Sequence, residues 1–573
     1  MRKTMTVILI RYFCLLASAQ DADRLSSIMA ITGMREEEEL SEQVMERFES
    51  LERHPLMLNT ASLSRLLSSG LFSQYQAASL IDYRSTYGDI LSIEELSAID
   101  GFGKSFAQTL APYVSFFSKS LPGAATHRKL DGSATLRGVW KTEPHDLEGS
   151  ISSRAKLSLD YGTCASAFLS GTLSLQSGRP DPAAGYTFHA AWYGRRHLDK
   201  VILGDFNARF GQGLTCWSGF SLGGMAAPSS LYRRQTGLTA SGSASGTGLR
   251  GAAVSASWGH WALSAFSGLP WVENGIWGSA VSPGANICFL SRYGQISATA
   301  LVSLDMTLRS GPDLARTGVD ARFCIRGVDL FGEVAADLAG MSMAGLAGVV
   351  FPIGESHFGM VGRYYPQSYS KELTGAVKSS TYARDEAGLT LSFERGKLAV
   401  SSNLWQKLST GRRQLKLLVS DEISLGGSWL LKPRLSARSD MRTDVRADVV
   451  RTKVPWTHTF RADWLHFIGH AGLVYYESGL QLGGLTAYFR ATAFHVDNWD
   501  DRIYAYERDA PGNYSMPAYY GRGVAAALNA AWKPELKRVR LRLYSSLNWK
   551  HALKPGRNPE ESVGLKLQCV CDF

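Results

Sequence analysis

The sequence has no charge-free apolar run of the ~18 residues or more that a membrane-crossing helix needs. Its mean hydropathy is −0.10. Together these exclude a polytopic helical membrane protein. Cysteine is scarce, with Cys14, Cys164, Cys216, Cys288, Cys324, Cys569 and Cys571 scattered and no CxxC pair. A disulfide framework or a zinc site needs closer, patterned spacing. Charged residues are only 20% and proline only 19 of 573 residues. Hydrophobic residues at 45% nevertheless exclude a disordered chain. What is plentiful is glycine (57) and aromatics (Trp 14, Tyr 23, Phe 24). That mixture suits β-rich chains, because aromatics fit strands and glycine fits turns and bulges. Length alone, at ~150 residues per domain, would suggest about four domains.

The N-terminus orders a basic pair (Arg2, Lys3), an apolar stretch Val7 to Leu16, and Ala17-Ser18-Ala19. This is the layout of a secretory signal over residues 1–19. Charge then divides the chain. Residues 20–123 carry 15 acidic and 8 basic residues, and residues 124–573 carry 36 acidic and 50 basic residues. An acidic module thus precedes a basic body, which bears on partners more than on fold.

Residues 20–57 read as an acidic helical segment. Leu40, Val44, Phe48 and Leu51 recur at helical spacing, with Glu36–Glu39 in the first turn, where the helix dipole favours anions. From residue 58 to 117 short helices follow. Asn59 or Thr60 is expected to cap one helix to about Leu67, and a second spans about Ser73 to Tyr87 up to Gly88. Ser92-Ile93-Glu94-Glu95 is a capping box, and Ile99-Asp100-Gly101-Phe102-Gly103-Lys104 turns into a fourth helix ending near Val114.

The residues Leu58-Asn59-Thr60-Ala61-Ser62, Ile81-Asp82-Tyr83-Arg84, Tyr87-Gly88, Glu95-Leu96 and Ile99 to Gly103 resemble the tandem helix-hairpin-helix domain of the bacterial competence DNA receptor. The resemblance implies that the hairpins at Gly70 and at Gly101, Phe102, Gly103, Lys104 and Ser105 aim backbone N–H groups at DNA phosphate. The first hairpin departs from the family pattern. It reads Ser68-Ser69-Gly70-Leu71-Phe72, without a second glycine. Charge opposes DNA as well: residues 55–115 hold Arg65, Arg84 and Lys104 against Asp82, Asp89, Glu94, Glu95 and Asp100.

Residues 118–133 read as a linker. From Ala134 the period changes to two. Ala155, Leu157, Leu159 and Tyr161 alternate with polar residues, as do Ala167, Leu169, Leu173 and Leu175, and Val539, Leu541, Leu543, Leu547 and Trp549. No repeat motif of a propeller or solenoid accompanies this. Val563, Leu565, Leu567, Cys569, Cys571 and Phe573 share one parity. A final amphipathic strand ending in Phe573 resembles the sorting signal of bacterial outer-membrane barrels. The expected fold is therefore mainly β: a large antiparallel transmembrane β-barrel over 134–573, of about 24 strands (range 22–26), preceded by a small all-α domain. An even strand number places both barrel ends on one side and the module in the periplasm.

Two segments add to the resemblance. Gly204 to Phe220 and the pair Asp501 to Arg508 and Tyr520 to Gly523 look like parts of Bacteroidetes-type proteins that join a helix-hairpin-helix module to a barrel. The Gly-rich stretch 204–224 and Asp497 to Tyr520 are expected as plugs or external loops. Asp501, Arg502, Glu507 and Arg508 are expected as a lumenal or loop network, bracing a plug or contacting substrate. The G-x-S-x-G match at 219–223 and the G-x-G-x-x-G match at 246–251 lack the strand–helix context their chemistry requires. His466 and His470 read as turn or interfacial residues. No catalytic residue, metal site or cofactor is expected. The expected partners are outer-membrane lipid and the barrel-insertion machinery, with DNA or a periplasmic protein at the module, and the barrel is expected to be monomeric.

Overall fold

The computed structural model describes residues 27–34, 42–53, 55–118, 130–143, 146–161, 164–176, 183–194, 197–219, 225–242, 248–272, 276–277, 280–291, 293–305, 314–510, 513–534, 539–556 and 558–573. The signal segment, Glu36–Glu39, most of the linker and the centre of the G-x-S-x-G match lie outside these residues.

The alternating region folds into one closed antiparallel barrel of 24 strands, from Leu130–Glu143 to Glu560–Asp572. The first strand pairs with the last from Ser133↔Asp572 to Lys141↔Gly564, which removes both sheet edges. Its start at Leu130 lies inside the segment expected as linker. The period-two pattern sets the two faces. On the paired strands Leu314–Ile325 and Val328–Asp337, Val319 and Val334 oppose each other and are 56% and 54% exposed. The next pair, Asp320 and Glu333, is 4% and 3% exposed. Apolar outside and charged inside is the reverse of a water-soluble protein. It is stable where hydrocarbon surrounds the wall and the lumen satisfies the polar groups. Exposed aromatics ring both rims, with Trp192, Trp258, Trp261, Trp429, Trp456 and Trp532 at one and Tyr364, Trp464 and Trp549 at the other.

The two ends differ. At the end holding both wall termini, most connections are two-residue turns, among them Gly259-His260, Gly354-Glu355 and Arg326-Gly327. In the last, φ is +51° and +81°, the left-handed pair that matches strand twist in tight hairpins. At the opposite end three long connections leave the wall, 210–248, 366–385 and 497–520.

The N-terminal module is helical: α1 (27–32), α2 (Glu42–Arg53), α3 (Leu63–Ser68), α4 (Gln74–Tyr87), α5 (Ile93–Ala98) and α6 (Gly103–Leu110). Ser62 caps α3, Ser73 and Gln76 form a capping box on α4, and Ser92 caps α5. The fourth expected helix stops at Leu110, because Pro112 lies in a single 3₁₀ turn and the chain then extends. There Val114–Ser115 pairs in parallel with Leu56–Met57. Phe48, Leu58, Leu66, Leu80, Leu96 and Leu110 make a buried core. Asn59 knits it internally, bonding Ile90 through both its carbonyl oxygen and its amide at 2.8 Å.

The module contacts the rest of the chain directly. Arg234 donates to the Ile31 carbonyl at 2.6 Å, Arg542 lies 4.0 Å from Glu49, and the Arg65 guanidinium sits 5.1 Å from the Tyr193 ring centre. Tyr193 and Arg542 lie near the termini end of their strands, so the module is seated in the barrel mouth at that end.

Candidate functional site

The lumen is the candidate site, and it is occupied by the protein's own chain. The strand Leu198–Arg209 follows the wall to Gly204, where φ is +98°. A side chain there would strike the Phe188 carbonyl, so only glycine permits the bend. Beyond it both faces of the chain are buried, and Asp205 to Gly219 run through the interior. The Asp205 carboxylate takes over the missing ladder contact. It accepts from the Phe188 N–H at 2.9 Å and pairs with Arg250 at 2.6 Å, while Arg250 donates to the Tyr186 carbonyl at 2.8 Å.

The inner segment is gripped by two wall residues of opposite charge. Glu333 accepts from the backbone N–H of Gln212 (2.7 Å), Leu214 (3.0 Å) and Thr215 (2.7 Å), and from the Thr215 hydroxyl (2.6 Å). Arg316 donates to the carbonyls of Leu214 (3.0 Å) and Thr215 (3.1 Å), and also to those of Ser370 and Glu372 (3.1 and 3.2 Å). One side chain takes the amides and the other the carbonyls of a single turn. Arg316 also ties the second connection, 366–385, to the first. That second connection is held again by the fully buried pair Arg363–Glu386 at 2.6 Å, with Glu386 accepting from Ser379 and Ser380 N–H.

The third connection, 497–520, also enters the lumen. Its four expected charges do not form one network. Asp501 accepts from the amides of Ile468 and Gly469 at 3.0 and 2.8 Å, holding the neighbouring wall turn. Arg502 lies over Trp499 and bonds the Tyr504 hydroxyl. Glu507 accepts from Tyr519 at 2.6 Å, and Arg508 pairs with Glu477 of the wall at 2.9 Å. Charges adjacent in sequence are dispersed because each finds a partner on the surrounding strands. Asp509, which sequence reasoning passed over beside them, bridges Arg137 (3.2 Å) of the first strand and Lys566 (2.8 Å) of the last. Tyr514 continues inward to pack on the core of the helical module. Plugs and external loops were both open for these segments: the glycine-rich stretch 204–224 fills the interior where it is described, and the segment 497–520 begins at the rim, where Trp499 and Tyr504 are exposed, and turns inward from Ala505.

The remaining expected residues divide by exposure. Gly101, Gly103, Lys104 and Ser105 are exposed, with Phe102 buried as the hairpin's anchor. Gly101 and Gly103 have φ of +88° and +65°. Tyr75 donates its hydroxyl to Asp100, which holds the phenol up at about 12. Gly70 is buried beneath Arg47, so the first hairpin faces inward. Phe573 exchanges two 2.9 Å backbone bonds with Gly132, and its ring lies over that glycine. His466 and His470 stack 4.5 Å apart across a wall turn beside Trp464. Among the described residues no group of three or more His, Cys, Asp or Glu is placed to hold a metal.

No protein-family model and no curated protein matches the chain. Among solved structures, a chain of the E. coli P pilus tip assembly intermediate PapC-PapD-PapK-PapG aligns at 10% identity with a TM-score of 0.46, over 79% of this chain and 62% of that one. This chain therefore spans less than two thirds of that relative. The P pilus usher (PapC) translocation pore aligns at 10% identity and TM-score 0.37, over 78% and 99% of the two chains. Pseudomonas aeruginosa OpdQ aligns at 8% and 0.28, over 78% and 99%.

Proposed function

We propose that the protein is an outer-membrane barrel that serves transport or assembly across that membrane as a gated passage, with its helical module on the periplasmic side. The observation that supports this is a lumen filled from both ends: plug segments gripped by Glu333 and Arg316, and a helical module seated in the opposite mouth. Interior segments packed on the wall through side chains, without the wall's continuous backbone ladder, can open locally before the wall does. The test is conductance of the reconstituted full chain in graded urea. A silent bilayer in buffer and reversible conductance steps at urea levels that leave the strand circular dichroism unchanged are expected. Silence until the barrel itself unfolds would overturn the reading.

A second reading concerns the helix-hairpin-helix resemblance. The hairpin Gly101 to Ser105 is exposed, with Lys104 free of the barrel, whereas Gly70 is not. This favours DNA phosphate contact at the second hairpin alone. A duplex titration of the full chain at several salt concentrations tests it. No binding at about 50 mM salt sinks it, since phosphate contacts are strongest there.

A further inference from the structure

The junction between the seated module and the plug is lined by arginines from three parts of the chain. Arg47 comes from α2, Arg209 from the end of the strand that turns inward, and Arg233 and Arg234 from the plug segment behind it. Arg47 lies over the buried Gly70, whose Cβ, if present, would fall 2.6 Å from one guanidinium nitrogen. Arg209 and Arg234 are near enough to act on Arg47 as like charges, and Arg233 acts so on Arg209. Arg234 spends one nitrogen on the Ile31 carbonyl, and Arg233 donates its Nε to the Gly375 carbonyl at 2.9 Å. The Nε atoms of both Arg47 and Arg234 are buried without a hydrogen-bond partner among the described residues.

From this geometry we propose that Arg47 and Arg234 form an internal anion site that takes a free tetrahedral oxyanion of phosphate size at the module–plug junction. A guanidinium cannot neutralise itself by losing its proton under physiological conditions, and its fork of donors matches phosphate oxygens. Burial and the two neighbouring guanidiniums push Arg47 down to about 9. An anion shared between module and plug relieves that repulsion and adds contacts across the junction. Occupancy therefore tightens seating of the module.

The test uses the full chain in detergent at constant ionic strength, with inorganic phosphate as probe and chloride as reference. Phosphate is expected to bind by calorimetry and to slow protease release of the helical module at least about threefold. Arg47→Gln and Arg234→Gln are each expected to weaken binding by about tenfold or more, the worth of one charge-assisted contact. Lys397→Gln, on an exposed wall turn, should leave it unchanged. Heat-modifiable gel migration reports whether each variant still forms its barrel. In chloride, Arg47→Gln should release the module no faster than the unmodified chain, because it removes repulsion. Phosphate binding that is absent, or that survives both glutamine variants, overturns the proposal, as does faster release of the module by Arg47→Gln in chloride.

Discussion

Replacing Glu333 by glutamine isolates the clamp on the plug. The carboxylate serves four donors, two at each oxygen, all at 2.6–3.0 Å. Glutamine keeps one oxygen and turns an NH₂ group toward the other two donors. Each buried donor left without an acceptor costs about 1–3 kcal/mol, so the turn at 212–215 should loosen by about 2–6 kcal/mol. At 1.4 kcal/mol per factor of ten, that is about 30-fold to 10⁴-fold faster amide exchange. Hydrogen exchange read on peptides covering residues 211–216 measures it directly. The wall strands on either side should exchange as before, because their backbone ladder does not involve this carboxylate. Glu355→Gln, on an exposed two-residue turn, is the matched control. An increase below about threefold at 211–216, with the barrel still heat-modifiable, would refute the claim that Glu333 holds the plug.

Three further outcomes follow from the geometry. Asp509→Asn leaves Arg137 and Lys566 without their shared carboxylate at the joint between first and last strands. Breaking a buried pair in this way costs about 3–5 kcal/mol, to be read as a lower midpoint in heat-modifiable migration. The Tyr75 phenol is raised to about 12 by its bond to Asp100, so its contribution to the hairpin is intact below the ordinary tyrosine range near pH 10 and is lost as pH rises through 12. The tyrosinate absorbance of the unmodified chain minus that of Tyr75→Phe should step near pH 12, and a step near 10 counts against the bond. Gly132→Val puts a side chain into the Phe573 ring and should cost about 1–3 kcal/mol, visible as a reduced assembled fraction on gels.

The wall was legible because its determinants are local. Leu157 and Leu169 show their outward parity within a few residues, and Leu567 and Phe573 do the same at the end of the chain. The strand number followed from length because the short turns at one end and the long connections at the other average to about the stretch expected per strand. The site was not legible for the opposite reason. Glu333 and the amides it grips are 118 to 121 residues apart, and nothing near Glu333 in sequence distinguishes it from other inward polar positions. Grouping Asp501, Arg502, Glu507 and Arg508 by proximity in the chain misled, because a closed wall offers each a partner of its own. Asp509 carried no signal beyond one more charge in that run. The seating of the module was hidden as well. The overall acidity of residues 20–123 draws attention from Arg47 and Arg65, whose contacts lie within the barrel.

The departure of one strand at Gly204 has a mechanical consequence. Around most of the circumference, hoop tension passes from strand to strand through rows of backbone hydrogen bonds that share the load. Beside Phe188 it passes through Asp205 and Arg250 side chains instead. A chain of two side chains is more compliant than a row of amides and fails singly rather than together. Pulled apart laterally, the cylinder should begin to unzip along this line, between the strands Ala183–Tyr193 and Leu198–Arg209, whose backbone pairing stops at His189↔Gly204.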